Sequence, residues 1–190
     1  MAFNALRPGG TRRGIIIRYG SHPLGIDHAG RKQRRRSDLP KFHLCCVSQP
    51  HLLSGATPIF VDSEPDTWNM DPILLEQAIC DRMKQTGLKP KAILPVHLYG
   101  TPARMNEICD IASRYGIPVV EDAAEAMGAV YNGRYCGTFG QYGIFSFNGN
   151  KMITTSGGGA LLCHTEEEAQ RVKFYATQAR EPFPWYQHEQ

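Results

Sequence analysis

The sequence predicts an α/β domain with a mostly parallel sheet, and three observations carry that expectation. From Gly55 onward, short apolar runs alternate with longer stretches of helical period. The run Ile117-Pro118-Val119-Val120 shows almost no polar alternation, as a strand covered on both faces requires. Glycine or proline stands at most joints between the two kinds of segment, where the chain must turn.

Taken in order, Thr57-Pro58-Ile59-Phe60-Val61-Asp62 reads as a short strand, ended by a polar stretch through Trp68. Asp71-Pro72 opens a helix, with Asp as N-cap and Pro at the first helical position. Leu74, Leu75, Ala78, Ile79 and Met83 form its apolar stripe, and Gly87 stops it. Residues 91–97 read as the next strand. A helix follows from about Ala103 to Tyr115, with Met105, Ile108, Ala112 and Tyr115 on one face and Gly116 at its end. Strands are expected over 117–121, 142–147 and 159–163. Thr165 and Glu168 then make a capping box for a last helix bearing Ala169, Val172, Phe174 and Tyr175.

Residues 1–52 differ in kind from residues 53–190. They carry the run Arg31-Lys32-Gln33-Arg34-Arg35-Arg36, a Cys-Cys pair and little periodicity, with Ile15-Ile16-Ile17 as one short candidate strand. Residues 1–43 hold 10 of the 21 Lys and Arg but only 2 of the 18 Asp and Glu. Such a basic arm is the ordinary footprint of a nucleic-acid binder. The six cysteines show no zinc-ligand spacing, so reduced, mostly buried thiols are expected and no metal. No apolar run approaches the roughly 20 residues of a membrane span, and no signal-peptide core opens the chain. A cytoplasmic protein without a membrane partner is the default.

Three features carry chemistry. Glu121-Asp122 ends a buried strand, where open α/β sheets place ligands. An acid there serves as a helix N-cap about as often. Lys151 follows the strand Ile144-Phe145-Ser146-Phe147 in the small polar loop Asn148-Gly149-Asn150, although a lone lysine is usually a solvated charge. Thr154-Thr155-Ser156-Gly157-Gly158-Gly159 could cradle a phosphate or only turn the chain. Together they are more specific. Pyridoxal phosphate (PLP) chemistry needs an amine to hold the aldehyde, an acid to keep the pyridine nitrogen protonated, and donors for the phosphate.

The segment Glu121-Asp122-Ala123-Ala124-Glu125-Ala126-Met127-Gly128-Ala129, followed by Ser146 to Gly159, resembles the DegT/StrS family of sugar-nucleotide aminotransferases. Pro95-Val96-His97-Leu98-Tyr99-Gly100 matches that family's preceding strand and turn. The resemblance runs from about Gly55 to the end. It implies part of the large domain of a fold-type I PLP-dependent aminotransferase, a homodimer, and a site at the dimer interface. It makes Lys151 the Schiff-base lysine and proton carrier, pairs Asp122 with the pyridinium nitrogen, and sets Ser146 on the phosphate. Glu125 stands near the ring hydroxyl, where many members have Gln; a carboxylate only accepts there, whereas an amide also donates. The Asn-Gly-Asn-Lys form looks most like the subgroup that aminates C4 of UDP-linked 4-keto-6-deoxy-N-acetylhexosamine, a bacillosamine-type enzyme with glutamate as amino donor. Nucleotide sugar and amino acid are then the partners, for cell-surface polysaccharide or glycan synthesis, and nucleic acid is not.

The same resemblance bears on the basic segment. The family has a Gly-Thr-containing helix start before Gly55 that this chain lacks. Residues from about 12 to 51 are expected to be an out-of-frame translation. Shifted forward by one base, Tyr19–Leu24 can read Thr-Ala-Ala-Ile-His-Leu, and Leu44–His51 can read Phe-Ala-Ala-Ser-Ala-Asn-Pro-Ile. Arg35–Asp38 can read Asp-Glu-Val-Ile. The chain is then a truncated domain, inactive alone. A non-catalytic remnant and a basic-arm nucleic-acid-binding α/β protein are the alternatives.

Overall fold

The computed structural model describes residues 59–176 and the backbone of residues 14–17. The chain divides into two compact units, one of residues 1–21 with 61–190 and one of residues 22–60. Of the second, only Ile59 and Phe60 are described, and both are exposed. The features expected over 1–13, 18–58 and 177–190, the arginine run among them, lie outside the described residues.

Three helices form where the apolar period and the caps place them. Helix α1 spans Pro72–Thr86; the Asp71 side chain accepts from the N–H groups of Ile73 and Leu74, and Gly87 closes it in the left-handed region at φ 68°. Helix α2 spans Met105–Tyr115 and ends at Gly116, also left-handed, at φ 59°. Helix α3 spans Glu166–Ala176. Its capping box is complete: Thr165 Oγ1 accepts from Glu168 N–H at 3.1 Å, and Glu168 Oε2 accepts from Thr165 N–H at 3.2 Å. Of the apolar stripe expected on α3, only Ala169 is buried, and Tyr175 is exposed.

Six strands are present among the described residues: β1 (Gly14–Ile17), β2 (Val120–Asp122), β3 (Val130–Tyr131), β4 (Arg134–Tyr135), β5 (Tyr142–Ser146) and β6 (Gly159–Leu162). The main sheet runs β1-β6-β5-β2. Beyond β2 the segment 93–96 extends it through parallel bridges from Ile93 to Val119 and from Val96 to Asp122. The sheet is mixed rather than mostly parallel. Segment 93–96, β2 and β5 run parallel, because a helix or long crossover returns the chain between them. Between β5 and β6 no helix intervenes, so the chain turns back on itself and β6 pairs antiparallel, Ser146 against Gly159. Strand β1 then pairs antiparallel with β6.

Two further departures have local causes. Residues 59–62 form no strand, although their composition suggests one. The turn that follows them is built on buried Glu64, whose carboxylate accepts from the N–H groups of Asp66 and Thr67 and from the Thr67 hydroxyl. The hairpin β3–β4 was not anticipated. Its turn, Asn132-Gly133, has both residues at positive φ, 48° and 76°, the pattern of a two-residue type I′ turn.

The core lies between α1, α2 and the sheet: Leu75, Ile79, Met105, Ile108, Ile111, Ala112 and, from the sheet side, Ile93, Ile117 and Val119. A second cluster of Ala123, Ala126, Cys136 and Phe145 packs beneath the strand ends. Burial first, and then the negative charge of Glu121, pushes the Cys109 and Cys136 thiols up to about 11. The four cysteines of the described residues are free, as the spacing suggested.

One close approach makes a test of this packing. A Cβ on Gly143 of β5 would stand 1.9 Å from the Gly137 carbonyl oxygen, which is backbone and cannot swing away. Gly143→Ala should therefore destabilise the domain by about 3 kcal/mol, as overpacking of a close-packed interior does. Urea unfolding reads this directly, and an unchanged midpoint would contradict the packing of the 137–140 segment on β5.

Candidate active site

Three neighbouring parallel strands end together, and the sequence-identified groups sit on or just after those ends. Asp122 closes β2, Ser146 closes β5, and His97 closes the 93–97 segment. Val96, Asp122 and Ile144 are cross-strand partners, so their side chains share one sheet face, and alternation adds Ser146 to it. That face is partly open, with Ile144 at 38% exposure in mid-sheet. Glu121, Phe145 and Phe147 point the other way and are buried.

Asp122 Oδ1 accepts from the Ala124 N–H at 3.1 Å, which starts the turn leading to Glu125. Its backbone is held from one side by two bonds, Asp122 N–H to Pro95 O at 2.9 Å and His97 N–H to Asp122 O at 3.0 Å. Lys151 lies in the β5–β6 connection, where its N–H closes a turn onto Asn148 O at 3.0 Å. Its Nζ donates to Glu125 Oε1 at 3.0 Å, with both side chains mostly shielded from solvent. Glu125 Oε2 accepts in turn from the Tyr99 N–H at 3.0 Å. Ser146 Oγ accepts from Asn148 N–H at 3.3 Å. The loop after Lys151 is pinned to β5 by Thr155 N–H and the Thr154 hydroxyl, both donating to Phe147 O.

Lys151 and Glu125 are thus in contact, Asp122 lies on the same turn as Glu125, and Ser146 stands at the adjoining strand end, not bonded to the other three. The donor set suits a PLP-type group: a shielded amine, a carboxylate at a strand end with one oxygen bonded, and a hydroxyl whose proton is not committed to a described partner.

Sequence reasoning treated Glu121-Asp122 as one acidic feature and left His97 in a strand without a role. The structure separates the two acids. Glu121 is fully buried; Oε2 accepts from Gly137 N–H at 2.7 Å and from His97 Nε2 at 3.1 Å, and Oε1 from Gly140 N–H at 2.6 Å. Ala103 N–H donates to His97 Nδ1 at 3.1 Å, so the ring proton sits on Nε2 and the contact with Glu121 is a hydrogen bond. Strand alternation alone puts adjacent acids on opposite faces, and that signal was available in the sequence. Among the described residues no His, Cys, Asp and Glu group could hold a metal, and no helix is long and apolar enough to cross a membrane.

Comparison with known proteins identifies relatives of the chain. EpsN of Bacillus subtilis, named as a candidate pyridoxal phosphate-dependent aminotransferase, is 52% identical over 147 residues, 77% of this chain and 38% of that protein. The GDP-perosamine synthase of Caulobacter vibrioides is 42% identical over 128 residues, 67% of this chain and 33% of its own length. A DegT DnrJ EryC1 StrS aminotransferase from Brucella abortus superposes with a TM-score of 0.67 at 36% identity, over 73% of this chain and 37% of that one. The chain thus spans between a third and two-fifths of the relatives it matches. The model of the DegT/DnrJ/EryC1/StrS aminotransferase family matches residues 37–190, and the chain belongs to that family.

Proposed function

We propose that the protein carrying this domain is a PLP-dependent aminotransferase that moves an amino group from an amino acid, glutamate in the simplest case, onto the keto carbon of a nucleotide-linked sugar. The observation that carries the reading is the shielded Lys151–Glu125 pair on the turn that follows Asp122. Pyridoxal phosphate, when bound, supplies an aldehyde and an electron-accepting ring. Lys151 would hold it through Nζ and, once released, move a proton at that same nitrogen. The Asp122 carboxylate would keep a proton on the ring nitrogen, and the Ser146 hydroxyl would donate to the phosphate. Glu125 sets where Nζ stands between turns of this chain. As a carboxylate it accepts from Tyr99 N–H and from Lys151 together, which a Gln amide could do only through its one oxygen.

The subgroup reading, a UDP-linked 4-keto-6-deoxy acceptor and a homodimer with a shared site, is part of the same proposal. So is the division at residue 52, with residues from about 12 to 51 as an out-of-frame stretch. The family match starts at residue 37, inside that stretch, so the change of frame is best sought in the coding DNA.

The activity test uses two proteins, the 190-residue chain and a frame-restored version extended to the family's length. Each is given PLP, 15N-glutamate and a 4-keto-6-deoxy sugar linked to UDP or to GDP. The extended protein should place 15N on the UDP-linked sugar, and the short chain should transfer little. Transfer to the GDP sugar alone would replace the subgroup reading, and no transfer to either would remove the proposed function.

A further inference from the structure

We propose that the buried His97–Glu121 pair is a positioning device for the groups facing the cofactor, holding Asp122 from behind and Glu125, with Lys151, through the 98–100 turn. The proposal rests on the functional reading for what Asp122 and Lys151 do, while the clamp itself stands on hydrogen bonds.

Glu121 is where three segments meet. Its carboxylate receives His97 from one strand end and the backbone of Gly137 and Gly140 from the loop beyond β4. A buried carboxylate is costly unless its oxygens are satisfied, and well-packed apolar groups commonly serve stability as well or better. What a fully bonded carboxylate adds is a fixed geometry among its donors. The approach is tight: a Cβ at Gly140 would fall 2.5 Å from the Val119 carbonyl oxygen.

From this junction the constraint reaches the open face by two routes. Directly, His97 N–H bonds the Asp122 carbonyl, so the residue that clamps Glu121 also grips the backbone of the next residue. Around the turn, His97 O accepts from Gly100 N–H at 3.2 Å and His97 Nδ1 from Ala103 N–H. These two bonds close the chain over Tyr99, held at φ 50°, whose N–H then meets Glu125. Glu125 passes the position on to Lys151. His97 and Glu121 act on Glu125 and Lys151 through the backbone between them.

Two substitutions at one position separate this from a core-filling role. His97→Gln carries an amide N–H to the level of Nε2 and keeps donation to Glu121, losing the acceptor for Ala103. His97→Asn puts a carbonyl oxygen at the level of Nδ1 and keeps Ala103, losing Glu121. Each loses one buried bond, so a residue that only fills the core would loosen the same amides in both. Amide hydrogen exchange of the full chain, followed by NMR, should find Gly137 exchanging about tenfold faster in the Asn variant, which loses the Glu121 bond, and Tyr99 about tenfold faster in the Gln variant, which loses the Ala103 bond that closes the turn. Ile111 and Ala112 of α2 should exchange equally in the two. Equal exchange at Tyr99, or acceleration that reaches α2, overturns the clamp. Should His97→Asn not fold, Glu121→Gln replaces it: an amide N–H then opposes the backbone N–H of Gly137 or Gly140, which should exchange faster than in His97→Gln, while Tyr99 exchanges more slowly. Labelling with PLP and borohydride gives the second readout, with Lys151 labelled more slowly in the Gln variant, whose turn no longer holds Glu125, than in the Asn variant. Equal labelling of both, beside a labelled wild type, also overturns the proposal. If wild-type Lys151 takes no label, the functional reading fails, and hydrogen exchange still decides the clamp.

Discussion

Treatment with PLP and then borohydride should leave a reduced pyridoxyl group on Lys151 and on no other lysine. In the frame-restored, extended protein, Lys151→Ala should lower amino transfer by about four orders of magnitude or more, the scale seen when a covalent catalytic group is removed. The reason is the setting of each amine. Lys151 Nζ is shielded, held 3.0 Å from a carboxylate, and placed just beyond the end of β5. Lys89 is occupied as a cap, its Nζ donating to the carbonyls of Tyr115 and Gly116 at the end of α2. Lys84 and Lys91 are exposed, Lys84 in α1 and Lys91 just before the 93–97 segment, opposite the end that bears His97. Peptide mapping after reduction identifies the modified residue. A label on Lys84, Lys89 or Lys91 would transfer the assignment elsewhere, and full activity in Lys151→Ala would end it.

Much of this arrangement was legible before any coordinates. Local chemistry was read correctly where it is self-contained: Asp71-Pro72 opens α1, Gly87 and Gly116 close helices in the left-handed region, and Thr165 with Glu168 caps α3. These features depend on residues a few positions apart, so a single sequence contains them whole. The sheet was read less well, because strand direction is decided by the connection and not by the strand. The loop from Phe147 to Gly158 contains the chemistry-bearing residues and no helix, and that alone turns β6 antiparallel to β5. Residues 59–62 have strand composition yet form no strand, and the buried Glu64 that organises the turn after them leaves no mark in a sequence pattern. At the site, residue type and position singled out Lys151 and Asp122, and the family resemblance added Glu125 and Ser146. The bonds that tie His97 to Glu121 and Tyr99 to Glu125 join residues 24 and 26 apart. Such pairings exist only once three strand ends have been brought side by side.

Asp122→Asn should reduce amino transfer in the extended protein by two to three orders of magnitude, about what is lost when one preorganised electrostatic contact is removed from an active site. The substitution keeps size and shape. Asn Oδ1 can still accept from the Ala124 N–H, and the backbone bonds to Pro95 and His97 do not involve the side chain. Fold and stability should therefore change little, which thermal unfolding of wild type and variant side by side would verify. On the proposed assignment, what is lost is the negative charge that would stand beside the ring nitrogen, and without it the ring would hold its proton less well and accept electrons less readily. The defect should be confined to the chemical step: the rate per bound cofactor should fall while labelling of Lys151 continues. Asp122→Glu restores the charge on a longer arm and should recover part of the activity. Near-normal turnover in Asp122→Asn would mean that another acid faces the ring nitrogen. Glu125 is the group to test next, since it stands three residues on at the same strand end and its carboxylate is in contact with Lys151.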